Sequence, residues 1–396
     1  MLFQSLDDKS ECVGIYVNGR LHFNEEIPSG LTHTWKYSGS LTDSTVEYAW
    51  LYCNGRDLAQ ICPHHLEEEL NRLQKRFRAY VRSFTLGKIN LREHCFYDLV
   101  SHDFLLEFCE IKNQITKHIL EHYEKPANYK HLAAVHKLIY KMGHRDLMVN
   151  NKDCRHLFVS NADRRRAQKL IAGPKYIEYN LFGTSTGRLA TCGGFPILTM
   201  RKDFRRLLKP HNDWFLSLDY NGAEARTALA LSGQAQPAED IHAYNMKTIF
   251  KKQANFSRAD AKRAFFAWLY NPESTAIQSN LYNKTGLIKK WYENGHVSTP
   301  FKRRLSVDHR RAFNYLIQST TADLVLEQTL AIDKFLEDKK SFVSHLVHDE
   351  IVIDLADSER NLTPQIRDMF ADNRLASFQV NLQAGLNYFD LEDLKI

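Results

Sequence analysis

Apolar, strand-like segments that carry acidic residues at their ends constrain this chain most. Residues 215–220 read FLSLDY, so that Asp219 follows a run suited to a buried strand. Residues 342–347 and 351–356 are two further apolar runs, and a His-Asp-Glu triplet that contains Asp349 joins them. This arrangement is typical of a tight hairpin. The pattern predicts one strand and one hairpin, each with an acid at its end.

Carboxylates beside buried strands are unfavourable unless something pairs with them. Two such acids from distant strands could share Mg²⁺, a hard ion that binds a few carboxylates together with water and substrate phosphates. An isolated Asp at a strand end is, however, more often a turn or cap residue. Asp219 and Asp349 are therefore a weak metal-site hypothesis by themselves.

A predicted helix carries cations and aromatic rings at regular spacing. Its start at Ser257-x-x-Asp260 is similar to a capping box. Every fourth position then belongs to one slowly turning stripe, which contains Arg258, Lys262, Phe266 and Tyr270. Such a face could bind a triphosphate through its cations and stack on a base through its rings. An amphipathic helix with rings in the core and cations in solvent explains the same spacing.

The basic residues are clustered along the chain. Its 396 residues include 53 Lys and Arg against 47 Asp and Glu, a net charge of +6, and the clusters fall at 164–169, 201–209 and 302–311. Clustered cations favour a polyanionic partner, because they neutralise phosphates and release counterions. A solvated basic face explains such runs equally well.

Length and local patterns divide the chain into several parts. At roughly 150 residues per domain, two or three lobes are expected. The Asn-Gly pairs at 18–19 and 54–55 are typical of hairpin turns and predict a β-rich region over 1–62. Apolar stripes at helical spacing predict a basic helical lobe over 63–172.

The location of the protein can also be predicted from the sequence. The seven cysteines are an odd number without a Cys-x-x-Cys pair, which favours reduced thiols. No signal peptide pattern and no run of 18 apolar residues occurs. We therefore expect a cytoplasmic protein with no membrane partner.

Together, these segments resemble the family A DNA polymerases, the bacterial DNA polymerase I family. Residues 219–226 are similar to that family's Asp-Tyr-Ser-Gln-x-Glu-x-Arg motif, and 258–271 to Arg-x3-Lys-x3-Phe-x3-Tyr-Gly, with Asn271 in place of Gly. Residues 348–350 match its His-Asp-Glu motif. Supporting matches are TGRL at 186–189, Asp-Ile-His at 240–242 and RAFNYLIQSTTAD at 311–323. The resemblance covers about 173–356, with the motifs in the family's order.

The resemblance implies an α+β fold with right-hand polymerase architecture. We expect an antiparallel-sheet palm, helical fingers, a helical thumb and the small β-rich N-terminal region. The expected parts are an accessory region at 1–62, thumb at 63–172, palm at 173–237, fingers at 238–309 and palm again at 310–396. Residues 1–62 contain no Asp-x-Glu triplet, so no 3′–5′ exonuclease is expected. The small size suggests a phage enzyme that works in the bacterial host cytoplasm with separate replication or proofreading proteins.

The implied activity is template-directed DNA synthesis, in which dNTPs are added to a primer 3′-hydroxyl by two-metal phosphoryl transfer. Asp219 and Asp349 would hold two Mg²⁺ ions, with Mn²⁺ as a substitute, and Glu350 would be an auxiliary acid. Lys262 would also protonate the leaving group. The implied dNTP-binding residues are Tyr220, Glu224, His242, Arg258, Lys262, Phe266 and Tyr270, with Glu224 excluding a ribose 2′-hydroxyl. The residues implied to contact primer-template DNA are Arg188, Arg310, Asn314, Gln318 and His348.

One departure from the family pattern and two alternatives bear on this reading. Gly222 and Ala223 replace larger residues, which predicts looser packing beside the sugar pocket and relaxed nucleotide selection. A single-subunit RNA polymerase has a similar Arg, Lys and Tyr helix, but Glu224 and Glu350 favour DNA. A catalytically silent primer-template binding protein is the alternative outside enzymes, and the retained acids argue against it.

Overall fold

The computed structural model describes residues 1–11, 14–23, 27–39, 41, 45–150, 152, 157, 159–250, 256–274, 277 and 280–395. The chain forms two compact units, Met1–His144 and Arg145–Ile396. Neither predicted boundary, at 62/63 or at 172/173, coincides with this division. In particular, the basic helix at Asn161–Ala172, which we expected in the thumb, belongs to the second unit. Thumb, palm and fingers remain predictions for the ranges given above.

The first unit combines a small sheet with helices. Its elements are β1 (Phe3–Ser5), β2 (Gly14–Val17), β3 (Arg20–Phe23), β4 (His33–Thr34), β5 (Glu47–Tyr48), α1 (Ala49–Tyr52), α2 (Leu58–Ile61), α3 (Glu67–Leu86), α4 (His102–His122) and α5 (Tyr129–Gly143). Strands β1, β2 and β3 form an antiparallel sheet in that order, and β4 pairs with β5 in parallel. The apolar stripe of α4 is largely buried, whereas that of α3 is buried only at Leu70 and Leu73 and becomes half-exposed toward Phe77 and Val81.

The prediction of a β-rich region over 1–62 is only partly correct. Asn18 and Gly19 join β2 to β3 with φ angles of 49° and 79°, which a tight hairpin turn requires. The second Asn-Gly pair instead follows α1 and precedes α2. All four residues of α1 are buried, and the helix packs against α4 and α5. Asn54 and Gly55 have φ angles of 52° and 75°, so a tight turn does form there, but it joins two helices and the predicted hairpin is wrong.

The second unit is an α+β assembly. Its strands are β6 (Met148–Val149), β7 (Ile177–Asn180), β8 (Ala190–Gly194), β9 (Leu208–Lys209), β10 (Trp214–Tyr220), β11 (Tyr292–Glu293), β12 (His296–Ser298), β13 (Arg304–Ser306), β14 (Phe342–Val347), β15 (Glu350–Leu355), β16 (Val380–Gly385) and β17 (Glu392–Asp393). Its helices are α6 (Asn161–Ala172), α7 (Ala223–Leu231), α8 (Ile241–Thr248), α9 (Arg258–Tyr270), α10 (Lys284–Trp291), α11 (Ala312–Phe335) and α12 (Thr363–Ala371).

The central sheet of this unit has the antiparallel order β14–β15–β10–β16–β17. Side chains alternate along β10 because successive residues of a strand point to opposite faces. Leu216, Leu218 and Tyr220 share one face, and the Tyr220 ring stacks on Phe370 of α12 with ring centres 4.0 Å apart. Asp219 therefore belongs to the opposite face. The predicted strand and hairpin are both confirmed.

A second apolar core holds the segment between β10 and α11. It joins residues of α7, α8, α9 and α10 to the start of α11. Aromatic rings fill its centre, with Phe265 and Tyr282 at 5.2 Å and Trp268 and Phe313 at 5.1 Å between ring centres. Because one side of α9 is committed to this core, its other side is available for the cationic stripe. No helix in the described ranges is long and apolar enough to cross a bilayer.

A buried ion pair fixes α11 to the segment that precedes β13. Arg303 Nε and Nη2 donate to the two carboxylate oxygens of Asp323 at 2.9 and 2.6 Å, and both side chains are buried. We predict that Arg303→Met lowers the free energy of unfolding by about 3–5 kcal/mol, because it leaves a buried carboxylate without its charge partner. Urea denaturation of the full chain measures this change.

The matched control for that prediction is Lys247→Met, which removes a cation from an ion pair with Glu239 in which both side chains are exposed. We expect a change below about 1 kcal/mol there, because exposed pairs are screened by solvent. Equal effects of the two substitutions would show that burial of the Arg303 pair does not matter.

Candidate active site

Three of the predicted acids meet at one end of the central sheet. Asp219 on β10 is directly opposite Glu350, the first residue of β15. Directly opposed residues of neighbouring strands have their side chains on the same face. Asp349 precedes Glu350 in the turn between β14 and β15, where His348 has a φ of 59°. The hairpin thus brings Asp349 and Glu350 next to a strand that is distant in sequence.

The electrostatics of Asp219 reflect this crowding. Burial and the negative charges of Asp349 and Glu350 together raise the pKa of Asp219 to about 7. A hydrogen bond from Asn381 Nδ2 to Asp219 Oδ2, 3.4 Å long, and the positive charge of Lys262 act in the opposite direction. The site therefore holds more negative charge than its own cations neutralise.

This donor set fits a hard divalent cation. No three His, Cys, Asp or Glu side chains converge into a complete metal cage within the part of the chain that the structure describes. Mg²⁺ does not need one, because it keeps several waters and binds through one or two carboxylates plus substrate phosphates. Asp219 and Asp349 could supply those carboxylates, and the ion would relieve their mutual repulsion.

Glu350 is held by other partners and is therefore less suited to bind a metal directly. Its Oε1 accepts a hydrogen bond from Ser217 Oγ at 2.6 Å, and its Oε2 accepts one from the Tyr388 hydroxyl at 2.8 Å. The Arg205 guanidinium lies over the Tyr388 ring, 4.5 Å from the ring centre. Glu350 consequently acts here as a fixed negative neighbour of Asp219.

A cavity of about 590 Å³ opens beside Asp219 and Glu350. Asp219, Ser217 and Glu350 line it from the sheet, and Lys202 and Arg205 line it from the basic segment that precedes β9. The cavity therefore has an acidic side and a cationic side, which suits a ligand that carries both phosphates and metal ions.

Helix α9 has the predicted start and the predicted stripe. Ser257 Oγ accepts a hydrogen bond from Asp260 N at 3.2 Å, and Asp260 Oδ2 accepts one from Ser257 N at 3.0 Å, which confirms the capping box. The rings of Phe266 and Tyr270 stack at 5.8 Å with an angle of 12° between their planes. The cationic and aromatic residues thus follow one another along one side of α9.

The two cations of this stripe are in different states. Lys262 is exposed and has no ion-pair partner among the described residues, yet its charge influences the pKa of Asp219. Arg258 instead forms two hydrogen bonds with the carboxylate of Asp240, at 2.9 and 2.6 Å. Of these two cations, Lys262 alone can bind a ligand without first losing an ion pair, whereas Arg258 would have to leave Asp240.

His242 completes the group of predicted phosphate ligands. It lies in the first turn of α8 and is only 2% exposed. Burial, together with the nearby charges of Lys262 and Arg258, lowers its pKa to about 4, so the ring is neutral at physiological pH. Its Nδ1 has no hydrogen-bond partner in the described structure. A neutral ring with an unpaired nitrogen is suited to a hydrogen bond with a ligand.

Glu224 lies in the first turn of α7 and is fixed by two partners. Its side chain forms an ion pair with Arg188 and accepts a hydrogen bond from the Tyr270 hydroxyl at 2.7 Å. Burial raises the pKa of Glu224 above its usual value, although both partners act against that rise. Arg188, which we expected to contact DNA, is thus already paired with a residue expected to contact the sugar.

The other predicted DNA contacts lie in different surroundings. His348 is exposed at the hairpin turn and lines, with Arg188 and Asp349, a cavity of about 20 Å³. Asn314 and Gln318 lie one turn apart on α11, and Gln318 hydrogen-bonds the Tyr270 side chain. Arg310 is exposed and paired with Glu273, at 3.1 Å from its Nε. Gln318 and His348 therefore adjoin other candidate site residues, whereas Arg310 is held by Glu273.

The prediction that Tyr220 binds the nucleotide requires a correction. Its side chain is fully buried, and its hydroxyl donates a hydrogen bond to the Phe370 carbonyl oxygen at 2.6 Å. The reason is the alternation of β10, which turns Tyr220 toward α12 and Asp219 toward the cavity. Because neighbours in a strand point to opposite faces, a position next to Asp219 in sequence does not bring Tyr220 to the same cavity.

The expected loose packing at Gly222 and Ala223 is also wrong. Gly222 has a φ of 70°, and a Cβ added there would lie 2.4 Å from Ile241 Cγ2. Ala223 is buried as well. The absence of a larger side chain at 222 is a condition for the close approach of α8, and it leaves no extra space beside Glu224.

Three site residues were missed at the level of sequence. Asp240 was noted only as part of an Asp-Ile-His match, although it holds Arg258. Asn381 on β16 contacts Asp219, and Tyr388 contacts Glu350. The last two have no local signal, because only the register of β16 and the path of the chain after it bring them to the acids.

The pKa of Asp219 generates a prediction about stability without metal. Because the pKa of Asp219 is about 7 in the folded protein, ionisation of this acid costs more free energy in the folded state than in the unfolded state. The free energy of unfolding should therefore fall as the pH rises from about 4 to about 7. In EDTA, Asp219→Asn should match the wild type near pH 4 and raise the Tm by roughly 5 °C at pH 8. Thermal unfolding at several pH values measures this. The exposed Asp338→Asn is the control and should give no pH-dependent difference.

The burial of Tyr220 and the exposure of Tyr270 predict opposite roles for the two rings. Tyr220→Phe should lower the free energy of unfolding by about 1 kcal/mol, because it removes one buried hydrogen bond, and should leave dNTP affinity unchanged. Tyr270 is 42% exposed at the predicted nucleotide site, so Tyr270→Ala should weaken dNTP binding by about fivefold or more. Denaturation and nucleotide titration of both variants test this pattern. A loss of affinity in Tyr220→Phe as large as that in Tyr270→Ala would restore the original assignment.

Comparisons with known proteins agree with these features. No protein-family model matches the chain. The thermostable DNA polymerase I of Thermus aquaticus is 26% identical over a 233-residue alignment that covers 46% of this chain and 28% of that relative. The chain thus spans less than a third of that relative's length. The POL domain of Pol1 from M. smegmatis, solved in complex with DNA primer-template and dNTP, superposes with a TM-score of 0.57 at 13% identity.

That superposition covers 72% of this chain and 76% of the solved one, and it establishes the fold. The similarity in sequence to that relative, the shared fold and the three motifs around the sheet acids agree with one another. The chain is thus similar in sequence to a DNA polymerase I and has the fold of a DNA polymerase POL domain.

Proposed function

We propose that this protein is a DNA-directed DNA polymerase that adds dNTPs to a primer 3′-hydroxyl. One observation carries the proposal: Asp219 is opposite Glu350 at the hairpin turn that carries Asp349, and Lys262 of α9 is close enough to influence the Asp219 pKa. Phosphoryl transfer needs metal-binding acids opposite a cationic surface. The T. aquaticus relative is named a DNA polymerase, and the M. smegmatis structure contains primer-template and dNTP, which supports the same activity.

Asp219 and Asp349 are the residues that would hold two Mg²⁺ ions, or Mn²⁺ in their place. When bound, such ions stabilise the negative charge of phosphoryl transfer and make the primer hydroxyl more acidic. Glu350, fixed by Ser217 and Tyr388, adds negative charge beside them. The raised pKa of Asp219 supports this assignment, because it reflects burial and repulsion from neighbouring carboxylates that bound cations would relieve.

The triphosphate is bound by Arg258, Lys262 and His242. Lys262 has no competing ion pair in the described structure, so it is the residue best able to donate a proton to the pyrophosphate leaving group. His242 is neutral and offers a hydrogen bond without adding charge. The stacked rings of Phe266 and Tyr270 pack on the incoming sugar and base.

Glu224 selects deoxyribonucleotides. Because Arg188 and Tyr270 fix its carboxylate, it cannot move aside easily for a ribose 2′-hydroxyl. Arg188, Arg310, Asn314, Gln318 and His348 contact the primer-template, where minor-groove acceptors shared by all base pairs allow binding without sequence preference. Residues 1–62 lack an Asp-x-Glu triplet, so we propose that they carry no 3′–5′ exonuclease activity.

Primer extension by the full chain tests this function. With Mg²⁺ and all four dNTPs, the wild type should extend a primer on a DNA template, and Asp219→Asn should lose at least a thousandfold in rate while it still binds the duplex. The exposed Asp338→Asn should retain the wild-type rate. Duplex affinity is measured in parallel by fluorescence anisotropy.

Other results would favour the alternatives. Preferential use of ribonucleotides would indicate an RNA polymerase, whereas duplex binding without any synthesis in Mg²⁺ or Mn²⁺ would indicate an accessory binding protein. Release of dNMP from a mismatched primer by pure protein, abolished by a substitution within 1–62, would contradict the absence of an exonuclease.

A further inference from the structure

Arg258 is already bound to an internal carboxylate. Its Nε donates to Asp240 Oδ1 at 2.9 Å, and its Nη2 donates to Asp240 Oδ2 at 2.6 Å. This is the two-point geometry that makes guanidinium bind carboxylates and phosphates well. The same edge of Arg258 therefore cannot bind a phosphate in this way until it leaves Asp240.

Asp240 is fixed more firmly than Arg258. Its carboxylate also accepts hydrogen bonds from Asn221 Nδ2 at 2.9 Å and from the backbone nitrogens of His242 and Ala243 at 3.0 and 2.9 Å. The buried Arg226 holds the preceding carbonyl oxygen of Glu239 at 2.9 Å. Although burial alone would raise the pKa of Asp240, these donors and Arg258 keep it below the usual range.

Arg258 is the partner that can move. Its side chain is 53% exposed against 23% for Asp240, and Asp240 is the sole ion-pair partner that it has in the described structure. It lies in the first turn of α9, one turn from Lys262. A ligand phosphate that approaches Lys262 and His242 therefore competes with Asp240 for Arg258.

We propose that Asp240 sets nucleotide affinity by acting as a built-in competitor of the triphosphate for Arg258. In the nucleotide-free protein Asp240 neutralises Arg258, and binding of dNTP transfers the guanidinium from this carboxylate to a phosphate. The proposal rests on the proposed function, because it assumes a triphosphate at this site. It adds a residue whose charge opposes substrate binding.

Asp240 also caps α8, and a suitable substitution separates the two roles. Asn and Ser are helix caps comparable to Asp, so Asp240→Asn and Asp240→Ser keep the acceptor for the backbone nitrogens and remove the charge. Glu239→Gln is the matched control. It removes the same charge one residue away, but Glu239 pairs with Lys247 instead of Arg258.

The test is the affinity of the full chain for dATP, titrated with Mg²⁺ and a 3′-dideoxy primer-template that presents dT. Asp240→Asn and Asp240→Ser should each lower the Kd of dATP at least fivefold, and Glu239→Gln should change it less than twofold. Arg258→Met should raise the Kd, and Asp240→Asn should give no gain in the Arg258→Met background. Thermal unfolding of each variant verifies folding.

Several outcomes would overturn the inference. An unchanged Kd in both Asp240 variants would mean that Asp240 is only a helix cap, and a higher Kd would mean that it positions Arg258 for the phosphate. A gain that persists in the Arg258→Met background would indicate a general charge effect. If the wild type neither binds dATP nor extends a primer, the proposed function fails as well. If the wild type binds dATP and extends a primer, the variants test this inference alone.

Discussion

The register of β10 against its two neighbours determines the rest of the site. It sets Asp219 opposite Glu350 on one side and opposite Asn381 on the other. The hairpin turn then adds Asp349, so that negative charges accumulate on one face of the sheet and the pKa of Asp219 rises. Packing of the opposite face, where Tyr220 stacks on Phe370, holds the strand in this register. The core thus stabilises an arrangement of acids that is unfavourable by itself.

The cations around this face are mostly committed to partners within the protein. Arg188 is paired with Glu224, and Arg258 is paired with Asp240. A polyanion must displace these internal carboxylates before it can bind the same guanidinium groups in the two-point geometry. Lys262 differs, since it has no ion pair among the described residues and acts on Asp219 directly. The site therefore combines a crowded acid pair with Lys262, which has no ion pair among the described residues, and with arginines that internal carboxylates hold.

The environment of Glu224 shows how packing and chemistry are linked. Gly222, in a left-handed conformation, allows Ile241 to approach the start of α7. That approach brings α8, with Asp240 and His242, close to the end of β10. Glu224 follows two residues later and reaches Tyr270 of α9. Gly222 therefore allows close packing of α7 and α8, whereas the sequence had predicted looser packing at this position.

The sequence by itself determined the elements whose signals are local. The strand at 214–220, the hairpin at 342–355 and helix α9 with its capping box were predictable because strand alternation, turn chemistry and helix caps act within a few residues. The tertiary structure decided the helical state of α1, the burial of Tyr220, the contacts of Asn381 and Tyr388 with the acids, and the pairing of Arg258 with Asp240. Those features depend on strand register and on which surface another element covers, and such long-range pairings leave no periodic pattern in the chain.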